Sequence, residues 1–431
     1  MAQTSYSTKT TKDLILDAAF SFCNEPRFQA FSLSELAAKV GITKPAIYRH
    51  FKNKEAVYAA MYERFVDTLV GCLGTVQSVK ERGELPVEQI ADLICFFTEN
   101  TCYVNYMLGS LASVQNFEYQ LTLDLEKRGI ENRSIGFQYL ADGTGKVVIK
   151  DFDEYIRSMY YGVTVFIFIK GREKLIEEGE SVCPVADFSH KVVQFLLIGL
   201  QGEVSEKNDL YPAVLSEERK TELRKICMVT EDMLPEENRF FNAFAAVISK
   251  YKLTGVTVGR IADELGMAKS SLYEYFDDKN ALIKTLIVKE LSILSVILQE
   301  TAAEAKNASE YLFILMQTEF SFFMRRPSII PIFGWLLMTT MDDTFAKDIG
   351  FPTVWENRLE SAVTELDFGM DVKSWQFISF VSCLPVALVM QCVGRELGEE
   401  KLQSGLELMF DALESGIGYS TEGGSITHEK E

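Results

Sequence analysis

The chain has 431 residues, 47% of them hydrophobic and 24% charged, with ten prolines. That balance excludes a disordered or collagen-like chain and leaves room for about two to three domains with ordinary cores. Lys and Arg number 43 against 62 Asp and Glu, a formal charge of −19, and such an average field repels phosphate and argues against a protein that coats nucleic acid or an anionic membrane.

The opening MAQTSYSTKTTKDL has no apolar run and no small-residue cleavage site, so no signal peptide is expected. The next segment carries Leu14, Ile15, Ala18, Ala19 and Phe22 at helical spacing and predicts a helix ending near Asn24 to Pro26. Ser32 and Glu35 form a capping box for a second helix, which Gly41 can end in a left-handed conformation. Thr43 can cap a third, with Pro45 in its first turn, where a missing N–H costs nothing. Leu36, Ala37, Val40, Ile42, Ile47 and Phe51 then form the small core of a helix-turn-helix unit. A long helix is expected from Val57 to about Cys72, and Asp142-Gly143-Thr144-Gly145 reads as a turn, or the tip of a small hairpin, between Tyr139 and Val147 to Ile149.

Past the acidic connector, whose Ser216 to Val229 stretch has helical spacing, the first pattern returns. An offset of 225 residues aligns Asp13–Val57 with Asn238–Leu282 without a gap, and eight of the 45 positions are identical. Apolar type is kept between them, as in Leu36/Ile261, Val40/Leu265 and Ile47/Leu272. The second copy has Thr257 as cap and Gly266 at the turn, but Arg260 where the first has Glu35, so it lacks the capping box. Another long helix is expected from Leu282 to about Gln299. The apolar run Phe377 to Val393 is interrupted by Ser379, Ser382, Pro385 and Gln391 and reads as a buried helix rather than a membrane span. Residues 421–431 are expected to be disordered. The eight cysteines form no CxxC pair and no regular framework, and read as reduced core thiols of a cytoplasmic protein.

Counted locally, the charge divides. Residues 1–57 carry eight basic and five acidic side chains and residues 239–285 seven and five, so the rest of the chain holds more than the whole net negative charge. Two weakly basic heads on an acidic body suit a protein that touches phosphate only at the heads.

The run Thr43-Lys44-Pro45-Ala46-Ile47-Tyr48-Arg49-His50-Phe51-Lys52-Asn53-Lys54-Glu55-Ala56-Val57 resembles the recognition helix and following helix start of the TetR family of transcriptional regulators. Residues 268–282, opening Ala268-Lys269-Ser270-Ser271-Leu272-Tyr273, resemble a second one. The resemblance implies an all-α fold of two tandem TetR-like units, each a three-helix DNA-binding bundle followed by a helical ligand-binding and dimerisation domain. Where the family pairs two subunits, this chain is expected to pair its own halves as an intramolecular pseudo-dimer. The segments expected to form that four-helix interface are Phe152 to Glu178, Val185 to Leu200, Val372 to Glu396 and Glu400 to Ser415. The expected domains are 1–57, 58–202, a partly helical linker 203–237, 238–282 and 283–420. A homodimer of whole chains is the alternative assembly.

By the same resemblance the third helix of each head enters the major groove. In the first, Lys44, Pro45, Ala46 and Arg49 would face bases, with Arg49 able to make a bidentate contact to guanine, while Thr43, Tyr48, His50 and Lys54 would position phosphates. A cation at a helix start opposes the helix dipole, so the repeated Lys54/Lys279 placement points to an external anion sharing that end. In the second head Ala268, Lys269, Ser270, Ser271, Tyr273, Tyr275 and Lys279 are available, but Glu274, Asp277 and Asp278 replace Arg49, Lys52 and Asn53. Glu274 could accept from a cytosine amine and Asp278 could cap the next helix. Two unlike heads imply an asymmetric double-stranded DNA operator.

Aromatic and sulfur-rich runs are the candidate effector pocket. The first body offers Phe96, Phe97, Tyr103, Tyr106 and Met107 with Tyr160, Tyr161 and Phe166. The second offers Phe313, Met316, Phe320, Phe323, Trp335 and Met338. Their composition favours an apolar or aromatic small molecule, although stripes at this spacing also serve as plain core. The three histidines, His50, His190 and His428, lie in no catalytic or zinc-ligand spacing, so neither an enzyme nor a metal or cofactor requirement is expected. The function expected is a ligand-released repressor. The alternative is an adaptor that keeps the fold and does not bind DNA, or binds it with one head.

Overall fold

A computed structural model describes residues 9–24, 31–82, 86–114, 117–130, 139–141, 147–149, 151–204, 215–236, 239–251, 255–273, 279–330, 374–392 and 397–416. Apart from one hairpin, its regular elements are helical. The first head consists of α1 (Thr11–Ser21), α2 (Leu33–Val40) and α3 (Lys44–Tyr48), and α4 (Lys54–Glu81) runs unbroken from head into body. At about 1.5 Å per residue, α4 is roughly 40 Å long. It passes the expected stop at Cys72 because Leu73, Val76 and Val79 continue its buried stripe. The body follows as α5 (Val87–Glu99), α6 (Thr101–Ser113), α7 (Phe117–Lys127), α8 (Phe152–Glu177) and α9 (Val185–Val204), the last broken at Gly199. Between α7 and α8 lies the hairpin, β1 (Tyr139–Ala141) antiparallel to β2 (Val147–Ile149), with Leu140 opposite Val148. Its expected turn, 142–145, lies outside the described residues.

The connector contributes α10 (Glu217–Ile226). The second head is α11 (Arg239–Tyr251), α12 (Val258–Leu265) and α13 (Lys269–Tyr273). Its body holds α14 (Lys279–Ala302), α15 (Ala308–Arg325), α16 (Ser374–Cys392) and α17 (Glu399–Ser415). Residues 331–373 of the second body, and 421–431, lie outside the described residues.

Helices α8 and α9 of the first half pack against α16 and α17 of the second, the four-helix pairing expected from the sequence. Phe380 on α16 sits at its centre, 5.2 Å from the Phe168 ring, 6.1 Å from Phe195 and 6.2 Å from Tyr160. Gln376 Nε2 donates to the Gly171 carbonyl at 2.8 Å. On α17, Gly405 lets the helix approach α8 closely, since a Cβ there would meet Phe152 at 3.0 Å and Ile156 at 3.1 Å. The core is therefore continuous across both halves.

Helix α10 is docked on the second body. Arg219 binds Glu310 of α15 through two parallel contacts, Nε to Oε1 at 3.0 Å and Nη2 to Oε2 at 2.8 Å. Lys220 reaches Asp411 of α17 at 2.8 Å, and Leu223, Cys227 and Val229 are buried beneath. Burial pushes the Cys23 thiol up to about 12 and Cys227 to about 11, so these free cysteines are unreactive core groups. Among the described residues no helix is long and apolar enough to cross a membrane.

Candidate nucleic-acid interface

The first head is built around a tight turn. Ser32 Oγ accepts from the Glu35 amide at 3.1 Å while Glu35 accepts from the Ser32 amide at 2.6 Å, the reciprocal box the sequence implies. Gly41 ends α2 at φ 77°, a conformation open to glycine, and the Ile42 amide then donates to the Ala37 carbonyl at 3.0 Å. Ile47 and Phe51 are buried under the short α3 and fix it from below. Its outer surface presents Thr43, Lys44, Pro45, Tyr48, Arg49 and His50, all exposed, with Ala46 half-buried. Tyr48 is 48% exposed, which settles that it is not a core aromatic. Thr43 stands at the cap position with extended backbone but, contrary to expectation, its side chain makes no capping bond.

Lys54 begins α4, where Asn53 Oδ1 accepts from the Ala56 amide at 2.9 Å. Its ammonium lies 5.2 Å from the Phe31 ring centre and 5.1 Å from that of Tyr58, so part of the reason for a cation at this helix start is internal.

The second head repeats the turn. Gly266 has φ 62°, and Met267 donates to the Ala262 carbonyl at 2.9 Å, the counterpart of Ile42 on Ala37 at the 225-residue offset. Thr257 caps α12 alone, and Arg260 does something different from Glu35. Its guanidinium lies 4.1 Å from the Tyr251 ring centre and donates to the Gly255 carbonyl. Ala268, Lys269 and Ser270 are exposed and Ser271 is half-buried. The side chains of Tyr273 and Lys279, and all of Glu274, Tyr275, Asp277 and Asp278, lie outside the described residues.

The pocket candidates of the first body fall at the base of its head. Tyr103 stacks on Phe20 at 4.4 Å, Tyr106 meets Phe20 and Phe65 edgewise or tilted at 5.2 Å, and Phe96 packs between Phe97 and Tyr103. Met107, Tyr161 and Phe166 are half-buried, whereas Tyr160 is fully buried at the contact between the halves. In the second body Phe313, Met316, Phe320 and Phe323 are buried along α15, and Trp335 and Met338 lie outside the described residues. Every described one of these side chains contributes to the packed core or lies against it.

Three charged features escaped the sequence reading. Arg64 of α4 holds Asp13 and Asp17 of α1; the pair of aspartates one turn apart on an otherwise apolar helix was its signal. The Arg219–Glu310 pair left no local signal, since its partners are 91 residues apart. Glu319 is 2% exposed inside α15, and burial pushes its carboxyl up to about 8. A lone acid between Phe313 and Phe323 could have marked it.

Two segments, 15–61 and 243–286, match the family model "Bacterial regulatory proteins, tetR family". The chain is 32% identical over 84 residues to the HTH-type transcriptional activator FasR of Mycolicibacterium smegmatis, covering 19% of this chain and 38% of that protein. It is 27% identical over 99 residues to the HTH-type transcriptional regulator AcrR of Shigella flexneri, covering 23% and 45% respectively. The chain thus spans less than half the length of these curated relatives. With the glycine turn and the exposed residues that open the short third helix recurring at the same offset, both heads match TetR-family helix-turn-helix units, and the chain is a tandem TetR-like protein.

Proposed function

We propose that this protein is a sequence-specific DNA-binding transcriptional regulator, acting as a repressor that a small apolar or aromatic effector releases. The observation that carries the reading is the exposed, polar and cationic face of α3, held rigidly over Ile47 and Phe51 in a head whose local charge is positive on an acidic chain. In this reading Lys44, Pro45, Ala46 and Arg49 face base edges, and Thr43, Tyr48, His50 and Lys54 lie along the backbone, as the family resemblance implies. Ala268, Lys269, Ser270 and Ser271, followed by Tyr273, Tyr275 and Lys279, serve the second head. Because the halves differ in sequence and are paired within one chain, a single molecule reads two unlike half-sites.

The relatives named above are an activator and a regulator, and this chain is similar to less than half of each. Repression is chosen because an effector that binds the paired bodies and favours one spacing of the heads needs only to weaken DNA binding to act. The acids at 274, 277 and 278 favour a second reading, in which the protein is an adaptor or binds DNA through one head.

Retardation of DNA fragments surrounding the protein's own gene tests the choice. A regulator retards at least one fragment, less at high salt, because phosphate contacts release counterions. Failure to retard any genomic fragment at low salt would overturn the regulator reading and favour the adaptor that does not bind DNA. Light scattering is expected to give the mass of one chain.

A further inference from the structure

Arg64 stands on α4 where the first head meets its body. Its Nη2 lies 2.6 Å from Asp13 Oδ1 and its Nη1 2.6 Å from Asp17 Oδ1, so one guanidinium grips two carboxylates a turn apart on α1. Both carboxylates are themselves held: Asp13 is the capping partner of Thr10, and Asp17 also receives Lys9 at 2.7 Å. Immediately beside the clamp, Phe20 of α1 stacks on Tyr103 of α6, and Asn105 of α6 donates to Asn24 at 2.8 Å. Head, long helix and body therefore meet at a single joint, and a planar five-donor fork fixes direction there as a flexible ammonium would not.

The second half does not repeat this clamp. At the 225-residue offset Asp13 corresponds to Asn238, Asp17 to Asn242 and Phe20 to Ala245, and continuing along the long helix Arg64 corresponds to Lys289. Both carboxylates, the guanidinium and the stacking ring are replaced together, and Asn242 and Lys289 are exposed. A head pinned at two points on α1 cannot pivot about α4 without breaking charge-assisted bonds, whereas the residues at the corresponding positions of the other head, two asparagines and a lysine, cannot form that pair of ion pairs.

We infer that Arg64 is a positioning residue that fixes the first head's angle to its body, so that this head sets the half-site spacing while the second adapts to it. The inference rests on the DNA-binding reading above. It is tested by measuring the affinity of the full chain for duplexes carrying its selected site, with the distance between half-sites altered by one or two base pairs. Arg64→Gln, and Asp13→Asn with Asp17→Asn, are expected to lower affinity about three- to tenfold at the preferred spacing and hardly at the others, flattening the spacing profile. Arg64→Lys restores part of the profile, and Lys289→Gln leaves it as in the natural protein. An unchanged Arg64→Gln profile, an equal loss at every spacing, or the same flattening by Lys289→Gln overturns the inference. Thermal melting identifies any variant that fails to fold, in which case the Arg64→Lys profile decides: identity with the natural protein's counts against the clamp. Absence of any DNA binding by the natural protein is a distinct result and overturns the functional reading itself.

Discussion

Gly199 and Gly416 meet where the two halves of the chain join, so closely that a Cβ on Gly199 would lie 2.5 Å from the Gly416 backbone nitrogen. Both adopt positive φ, 60° and 77°, and neither conformation nor space admits a side chain. Gly199→Ala and Gly416→Ala should each cost about 2–4 kcal/mol in urea unfolding. Gly162→Ala is the control: it lies within α8 with nothing within 4 Å of the new methyl group, and should stabilise by about 0.5–1 kcal/mol.

Glu319 makes stability depend on pH in an unusual direction. Its folded-state value of about 8 lies above the ordinary 4.5, chiefly through burial, so the folded protein binds this proton more tightly than the unfolded chain. The contribution is fully present below about pH 4.5 and is lost as pH rises through about 8, with a slope of roughly 1.4 kcal/mol per unit between them. Glu319→Gln mimics the neutral acid and should remove that slope, raising stability at pH 9 by a few kcal/mol. Denaturant midpoints across pH 5–9 check it, and an unchanged slope counts against the buried acid.

Much of the fold is legible in the sequence because its determinants are local. Ser32/Glu35 and Gly41 mark helix ends within a few residues, and the alternation of Leu36, Ile47 and Phe51 with polar neighbours marks the head core. The offset of 225 then turns one recognised head into two, and the family resemblance implies which helices pair. What the sequence hides is long-range. Lys54 reads as a phosphate contact, and nothing local tells that its ammonium also lies near the Phe31 and Tyr58 rings. The extension of α4 to Glu81 depends on what Val76 and Val79 pack against, and the connector reads as partly ordered without a hint that Arg219 anchors it 91 residues away.

That anchor can be broken from one side. Arg219 and Glu310 side chains are 14% and 6% exposed, and removing one leaves the other poorly solvated. Glu310→Ala should cost about 2–4 kcal/mol and speed protease cleavage around α10. Glu222→Ala removes the exposed partner of the same arginine and should change stability by less than about 0.5 kcal/mol.

Within the first head, two substitutions separate reading from holding. Arg49→Ala should cost about 1–3 kcal/mol on the selected site and relax preference at one base pair. Tyr48→Phe, which removes one hydroxyl from an exposed side chain proposed to contact phosphate, should weaken binding by about 1 kcal/mol on every sequence alike. Affinities for single-base variants of the site distinguish the two patterns.

That one chain places two unlike heads on one operator is tested most directly by selecting bound sequences from a random DNA pool with the intact protein. Two different half-sites at a fixed separation of about one helical turn are expected. A perfect palindrome, a solitary half-site or no enrichment would contradict it.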